Sequence, residues 1–124
     1  MLFLALRAYV SLLRFEASLV RGRFDSLYDS VRNHPVSKCT CDEATTARLC
    51  QAVDLACIWY WKQVLCLQRS AATVCLLRDN GVFAELVIGA QHMPFRAHAW
   101  VEVQGRIVND KAYTSEIYAV LDRC

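Results

Sequence analysis

Residues 82–110 decide the fold of this chain, and their sequence is VFAELVIGAQHMPFRAHAWVEVQGRIVND. Alternating apolar and polar positions, rich in β-branched and aromatic side chains, predict strands over 82–88 and 95–103, joined by a turn or loop at 89–94. Gln104-Gly105 predicts a tight hairpin turn, after which residues 106–109 pair back onto the second strand. The stretch therefore predicts a small antiparallel sheet.

Helices precede this sheet in the sequence. Apolar residues recur every three or four positions from Leu2 to Val31, and Gly22 interrupts the pattern, which predicts two helices or one bent helix. Asn33-His34-Pro35 should end this region, because the residue before a proline avoids the helical conformation.

Two more helices are predicted before the sheet begins. The next one can be capped by Thr40 or Asp42 and runs to Trp61. The following one runs from Cys66 to Arg78 and is stopped by Asn80-Gly81. Beyond residue 110 the weaker pattern indicates a short helix or an added strand. Helices followed by an antiparallel sheet predict an α+β fold.

The composition narrows the class of protein. A length of 124 residues predicts a single domain, and a hydrophobic share of 56% indicates a generous core or an apolar surface reserved for a partner. The net charge of +2, without basic runs interleaved with aromatic residues, argues against nucleic-acid binding. Arg7, Arg14 and Glu16 interrupt the apolar stretch 2–20, which argues against a membrane span or a signal peptide.

The chain has seven cysteines, an odd number that cannot all pair within one chain. Without a secretory signal, we expect reduced thiols in the cytoplasm. A zinc site at Cys39, Cys41, Cys50 and Cys57 is disfavoured, because a closed zinc site usually has two close pairs and only the first spacing here is short. Small buried hydrophobic residues are the better interpretation of Cys50, Cys57 and Cys75. No metal or cofactor is expected.

Three residues can form a thiol nucleophile, its base and the group that orients the base: Cys66, His98 and Asp110. Cys66 starts a helix, a position at which a neighbouring histidine favours the thiolate form of a cysteine. His98 lies on the strand that should pack on this helix. His98 and Asp110 lie six and five residues from the two sides of the Gln104-Gly105 turn, so they should face each other across the hairpin. Asn109 is the alternative orienting group, but its side chain should point to the opposite face.

Other polar and aromatic residues receive simpler interpretations. Gln63, three positions before Cys66, is a candidate donor to an oxyanion beside the N–H groups of the helix start, although a polar helix end explains it as well. His34 is expected as a surface residue or a residue of a helix C-terminus, and His92 is expected at the surface. Residues 59–61, Trp-Tyr-Trp, are expected to pack at a helix end rather than to form a wall of a substrate site.

Five segments together resemble the transglutaminase-like leader peptidases of lasso-peptide biosynthesis: Cys66-Leu67-Gln68-Arg69, Leu76-Leu77-Arg78 with Gly81, Leu86-Val87-Ile88-Gly89, Ala97-His98-Ala99-Trp100-Val101-Glu102 and Val108-Asn109-Asp110. The likeness is strong from Trp59 to Asp110 and loose over the N-terminal helices. In that family the cysteine, histidine and aspartate of these motifs form the catalytic triad. The resemblance thus implies a papain- or transglutaminase-like core at 41–110, after an N-terminal helical region at 1–36, within one domain of residues 1–124.

The resemblance also implies a function. It indicates a cytoplasmic bacterial cysteine peptidase that removes the leader from a ribosomally made lasso-peptide precursor, cutting after a leader whose penultimate residue is threonine. It implies a separate winged-helix leader-recognition protein, because this chain has no room for a winged-helix domain of its own. It also implies the ATP-dependent macrolactam cyclase as a further partner. Two alternatives stay open. One is an acyltransferase with the same triad, such as a transglutaminase or arylamine acetyltransferase, and the other is a non-enzymatic leader-binding scaffold.

Overall fold

Five helices and four strands make up the part of the chain that the computed structural model describes, namely residues 2–37, 43–92, 94–111 and 114–124. The helices are α1 (Leu2–Val20), α2 (Phe24–Arg32), α3 (Glu43–Trp59), α4 (Cys66–Asp79) and α5 (Thr114–Ile117). The strands are β1 (Ala84–His92), β2 (Phe95–Val103), β3 (Arg106–Ile107) and β4 (Ala119–Arg123). The predicted α+β class, with helices first and an antiparallel sheet after them, is confirmed.

The N-terminal apolar pattern forms two helices, which was one of the two predicted arrangements. Gly22 lies between α1 and α2 with a φ of +69°, in the left-handed region that glycine adopts without steric cost. α2 ends at Arg32, followed by its C-cap Asn33, so the predicted stop before Pro35 is confirmed. Within the described ranges, no helix combines the length and the apolar character that crossing a membrane requires.

The boundaries of α3 differ slightly from the prediction. The helix begins at Glu43 and ends at Trp59, two residues before the predicted end. The proposed caps Thr40 and Asp42 lie outside the described residues. The helix packs on both α1 and α4, and of these three helices α4 is the one that packs extensively on the strands β1 and β2.

Helix α4 lies at the centre of the structure and contacts α1, α3, β1 and β2. It begins at Cys66 and ends at Asp79, and Gly81 follows with a φ of +84°, so the predicted start and stop are confirmed. Most of its side chains are buried, including the polar ones of Gln68, Ser70 and Arg78. Buried polar groups need partners inside the protein, and those of α4 connect it to the other elements.

The sheet has the strand order β3-β2-β1-β4 and is antiparallel throughout. β1 begins at Ala84 rather than Val82 and runs through Gly89 to His92, so the prediction of a turn or loop over 89–94 was wrong for residues 89–92. Gly89 is a packing residue: a Cβ atom at this position would lie 2.6 Å from Cη2 of Trp100. The glycine therefore admits the indole ring of the neighbouring strand instead of turning the chain.

The hairpin after β2 turns where predicted. Gln104 has a φ of +52° and Gly105 a φ of +78°, the two positive values that a tight two-residue turn requires. The weak segment beyond residue 110 supplies both predicted possibilities, since α5 is a short helix and β4 adds a strand beside β1. Tyr113, which belongs to that segment, lies outside the described residues.

The returning strand is shorter than predicted, and this changes how Asp110 is placed. β3 ends at Ile107, which pairs with Glu102. Continued without a break, this register would set Lys111, not Asp110, opposite His98. The prediction that Asp110 lies on the returning strand was therefore wrong. Asp110 belongs to the bend that follows β3.

Candidate active site

His98 and Asp110 are in direct contact. Nε2 of His98 lies 2.5 Å from Oδ2 of Asp110, and about a quarter of each side chain is exposed, 25% and 27%. The other carboxylate oxygen of Asp110 accepts a hydrogen bond of 2.8 Å from the backbone N–H of Lys111. Because Asp110 engages Nε2, Nδ1 is the ring nitrogen of His98 that can accept a proton from another group.

Asp110 is ionised at neutral pH. Partial burial by itself raises the pKa of Asp110, but the hydrogen bonds from His98 and from the N–H of Lys111 outweigh it, and the charges of His98 and Arg69 add to them. The pKa of Asp110 is therefore below its ordinary value. A carboxylate at Nε2 keeps the proton on that nitrogen and stabilises the imidazolium when Nδ1 takes up a second proton.

Two aromatic rings pack against the imidazole of His98. The ring centroids of Tyr118 and Trp100 lie 5.2 Å and 6.1 Å from that of His98, both in stacked arrangements. The buried Trp100 donates from Nε1 to Glu102 at 2.9 Å, and Glu102 accepts from Arg123 at 2.6 Å. His98, Trp100 and Glu102 are every second residue of β2, so they share one face of the strand. Residues of β4 and of the chain just before it contact this face.

Cys66 is the first residue of α4 and is half-buried. The preceding Leu65 has no side-chain acceptor, and its own N–H donates to Oε1 of Gln68 at 3.4 Å. The buried amide of Gln68 donates to the carbonyl oxygen of Leu12 at 2.8 Å and to the hydroxyl of Tyr60 at 3.2 Å, which ties the first turn of α4 to α1. First-turn N–H groups have no acceptor within their own helix, so they are available to an oxyanion beside the thiol.

The N-terminal half of α4 meets β2 next to His98. The hydroxyl of Ser70 donates to the carbonyl oxygen of Ala99 at 3.1 Å. Cys66 lies four residues before Ser70, slightly more than one helical turn or about 6 Å of rise, so its end of α4 lies beside the His98 part of β2. Within the described ranges no hydrogen bond joins the Cys66 thiol to His98 or Asp110. The structure thus brings His98 and Asp110 into contact and sets Cys66 on the adjacent helix end.

Asn109 does not contact His98, because its side chain is engaged elsewhere. Its Oδ1 accepts a hydrogen bond of 2.8 Å from the N–H of Val101, and its Nδ2 donates to Ser70 at 3.0 Å. The roles of Ser70, Asn109 and Tyr118 escaped the sequence analysis. The signals available were a serine within a helix and an asparagine after a strand, neither of which is specific.

The residues before α4 present two large aromatic side chains to solvent. Trp59 is 75% exposed and Trp61 is 68% exposed, so the expectation that they pack at the helix end was wrong. It was right for Tyr60, which is buried and donates its hydroxyl to Glu16. Gln63 is exposed, and its service as an oxyanion donor stays a prediction.

The remaining histidines lie elsewhere in the structure. His92 ends β1 and is exposed, as predicted. His34 directly follows the C-cap of α2, is half-buried, and its Nε2 lies 2.6 Å from Oδ1 of Asp79, which fits the helix-end alternative better than a surface residue. This contact joins the chain after α2 to the end of α4.

Metal-binding side chains do not cluster in the part of the chain that is described. There, no group of three or more histidine, cysteine, aspartate or glutamate residues is suitably placed to hold an ion. Cys39 and Cys41, the close pair of the zinc alternative, lie outside the described residues.

Burial controls the reactivity of four further cysteines. Burial raises the pKa of Cys50 and of Cys75 to about 11, and it also raises the pKa of Cys57 and of Cys124. Cys50 and Cys75 are buried as expected, while Cys57 is half-buried. All four thiols are therefore protonated at neutral pH and react slowly.

Alkylation should separate these thiols. In the folded protein near pH 7, we expect iodoacetamide to label Cys66 before Cys50, Cys57, Cys75 and Cys124, because burial keeps those four protonated. Peptide mapping by mass spectrometry over a time course gives the order, and labelling in denaturant provides the control in which all react alike. Labelling of Cys75 at the rate of Cys66 would contradict the prediction.

The sequence is similar to known proteins. The profile of the transglutaminase-like superfamily matches residues 9–123. Over 45 residues, or 36% of the chain, the sequence is 44% identical to the microcin J25-processing protein McjB of Escherichia coli. This stretch covers 22% of McjB, so the match spans about a fifth of that relative's length. No solved structure matches the chain.

Proposed function

The chain belongs to the transglutaminase-like superfamily, and from this membership we propose that it is a cysteine peptidase that removes the leader from a lasso-peptide precursor. The observation that carries the proposal is the contact of 2.5 Å between His98 and Asp110, beside the helix end that bears Cys66. A thiol at a helix start, an imidazole and an orienting carboxylate are the parts that acyl-transfer chemistry requires.

The proposed reaction begins with proton transfer from the Cys66 thiol to Nδ1 of His98. The thiolate attacks the scissile carbonyl carbon, and N–H groups of the first turn of α4, with Gln63 as a further donor, hold the oxyanion. The imidazolium, stabilised by Asp110, gives its proton to the leaving amine, which leaves the acyl group on Cys66 as a thioester. Water then attacks the thioester, His98 takes a proton from that water, and the leader is released with a new carboxylate.

The proposed substrate is a precursor peptide with its leader. The similarity to McjB, whose name describes the processing of microcin J25, supports a role in peptide maturation. We propose that residues 1–124 act as one cytoplasmic domain with its catalytic core at 41–110, and that a separate winged-helix protein presents the leader to it. Exposed apolar side chains on α1, among them Phe3, Leu6 and Val10, fit the proposed need for a partner. The macrolactam cyclase is proposed as a further partner.

An acyltransferase of the same triad type is the second candidate, since only the acceptor of the acyl group differs. The test is digestion of a cognate precursor with its leader-recognition protein in ¹⁸O-labelled water, with a primary amine added, followed by mass spectrometry. The peptidase proposal expects a free core peptide and a leader with one solvent oxygen atom in its new carboxylate. A leader joined to the added amine would establish the acyltransferase, and an intact precursor would favour the leader-binding scaffold.

A further inference from the structure

We propose that Ser70 and Asn109 are positioning residues, which together hold Cys66, His98 and Asp110 in their working arrangement. This inference rests on the proposed function. Neither residue touches the imidazole or the thiol by a hydrogen bond in the described part of the chain. Both act through neighbours of the three proposed catalytic residues.

Ser70 is the first half of this unit. Only 1% of the residue is exposed, although α4 otherwise presents mainly apolar side chains to the sheet. Its hydroxyl donates to the carbonyl oxygen of Ala99 at 3.1 Å and accepts from Nδ2 of Asn109 at 3.0 Å. A single buried hydroxyl thus donates a hydrogen bond to the strand that bears His98 and accepts one from the bend that bears Asp110.

Asn109 is the second half of this unit. Its side chain supplies a hydrogen-bond partner to the edge of β2 beyond the end of β3. Val101 accepts from the N–H of Val108 at 3.0 Å, as in a hairpin ladder. The N–H of Val101 instead donates to Oδ1 of Asn109 at 2.8 Å. A side chain therefore takes the place of the backbone acceptor of a regular strand, and the bend is free to turn Asp110 toward His98.

The hydrogen-bonded residues of this unit lie close in sequence to the three proposed catalytic residues. Ala99 follows His98, Asn109 precedes Asp110, and Ser70 is one turn after Cys66. Loss of the Ser70 hydroxyl would release α4, β2 and the bend from one another close to His98 and Asp110 and one helical turn from Cys66. A misplacement of about 1 Å can lower turnover by about 10²-fold without weakening substrate binding.

Helix α4 offers a matched control in Thr73. It is also 1% exposed, but its hydroxyl donates to the carbonyl oxygen of Arg69 at 2.8 Å within the same helix. Ser70→Ala and Thr73→Val each remove one buried hydroxyl at nearly constant volume. Only the first substitution breaks a link between elements.

The experiment compares wild type, Ser70→Ala, Asn109→Ala, the double variant and Thr73→Val in two assays. In precursor cleavage we expect Ser70→Ala to lower kcat by about 10- to 100-fold with KM nearly unchanged, and Thr73→Val to retain turnover. The double variant should lose less than the product of the single losses, because Ser70 and Asn109 share one hydrogen bond. Circular dichroism checks folding, and Asn109→Ala serves as the test if Ser70→Ala does not fold.

The second assay is independent of any peptide substrate. The rate of Cys66 alkylation by iodoacetamide is followed against pH, and the rates near neutral pH should fall in Ser70→Ala but not in Thr73→Val. Equal profiles and equal kcat for the two variants would overturn the positioning role. If wild type cleaves no precursor, the peptidase proposal fails, while the alkylation profiles still decide whether Ser70 positions His98 beside Cys66.

Discussion

Cys66→Ala is expected to abolish precursor cleavage, with kcat/KM falling on the order of 10⁴-fold or more, while Cys75→Ala stays close to wild type. Cys66 starts α4 beside the His98 strand and is half-buried, so a scissile carbonyl can reach its thiol. Cys75 lies on the same helix but is buried, and burial raises its pKa to about 11. Alanine at 75 removes a small packing group and no catalytic one.

A time course of precursor and leader by mass spectrometry measures this contrast. Cys75→Ala is the matched control, because it removes a thiol from the same helix and leaves the first turn intact. Cleavage that persists in Cys66→Ala would exclude Cys66 as the nucleophile. Loss of cleavage in both variants, with both folded, would show that cleavage is sensitive to any change in α4 and does not identify Cys66 as the nucleophile.

Arg78→Met is expected to lower the free energy of unfolding by about 3 kcal/mol or more, because it leaves several buried carbonyl oxygens without a donor. The guanidinium of Arg78 is buried near the C-terminal end of α4. It donates to four backbone carbonyl oxygens, those of Ala84 at 3.0 Å, Cys124 at 3.0 Å, His34 at 3.2 Å and Val31. These lie at the start of β1, after β4, after α2 and within α2, so one side chain joins four parts of the chain.

Urea denaturation measures the loss, with Arg48→Met on α3 as the control. Arg48 is exposed, and its replacement should change the free energy of unfolding by less than about 0.5 kcal/mol. Arg78→Lys should recover little, because an ammonium group cannot reproduce the planar fork of five N–H donors. Equal stability of Arg78→Met and Arg48→Met would contradict the role of Arg78 as a connector.

Local signals determined the elements of this fold. The stop of α4 before Asn80-Gly81 and the turn at Gln104-Gly105 follow from residues within a few positions of each other, and both are present. Capping and turn formation depend on nearby backbone conformation, so a single sequence contains the necessary information. The order of helices and strands, and hence the α+β class, was predictable for the same reason.

Signals of the same kind failed where a distant residue sets the conformation. Gly89 suggested a turn, but it is glycine because the ring of Trp100 lies over it, and β1 continues to His92. Asp110 was predicted to meet His98 through strand register. It does meet His98, but β3 ends at Ile107 and the bend after it makes the approach.

By itself, the sequence determined which residue types are available for chemistry and which segments carry them: a thiol at a helix start, an imidazole on a strand and a carboxylate after a hairpin. Only the tertiary structure decided which buried polar groups meet. Ser70 with Ala99 and Asn109, and Arg78 with its four carbonyl oxygens, join segments far apart in the chain. Their partners are selected by distances that exist only after the core has packed, since a hydrogen bond forms over about 3 Å and a local sequence pattern extends over a few residues.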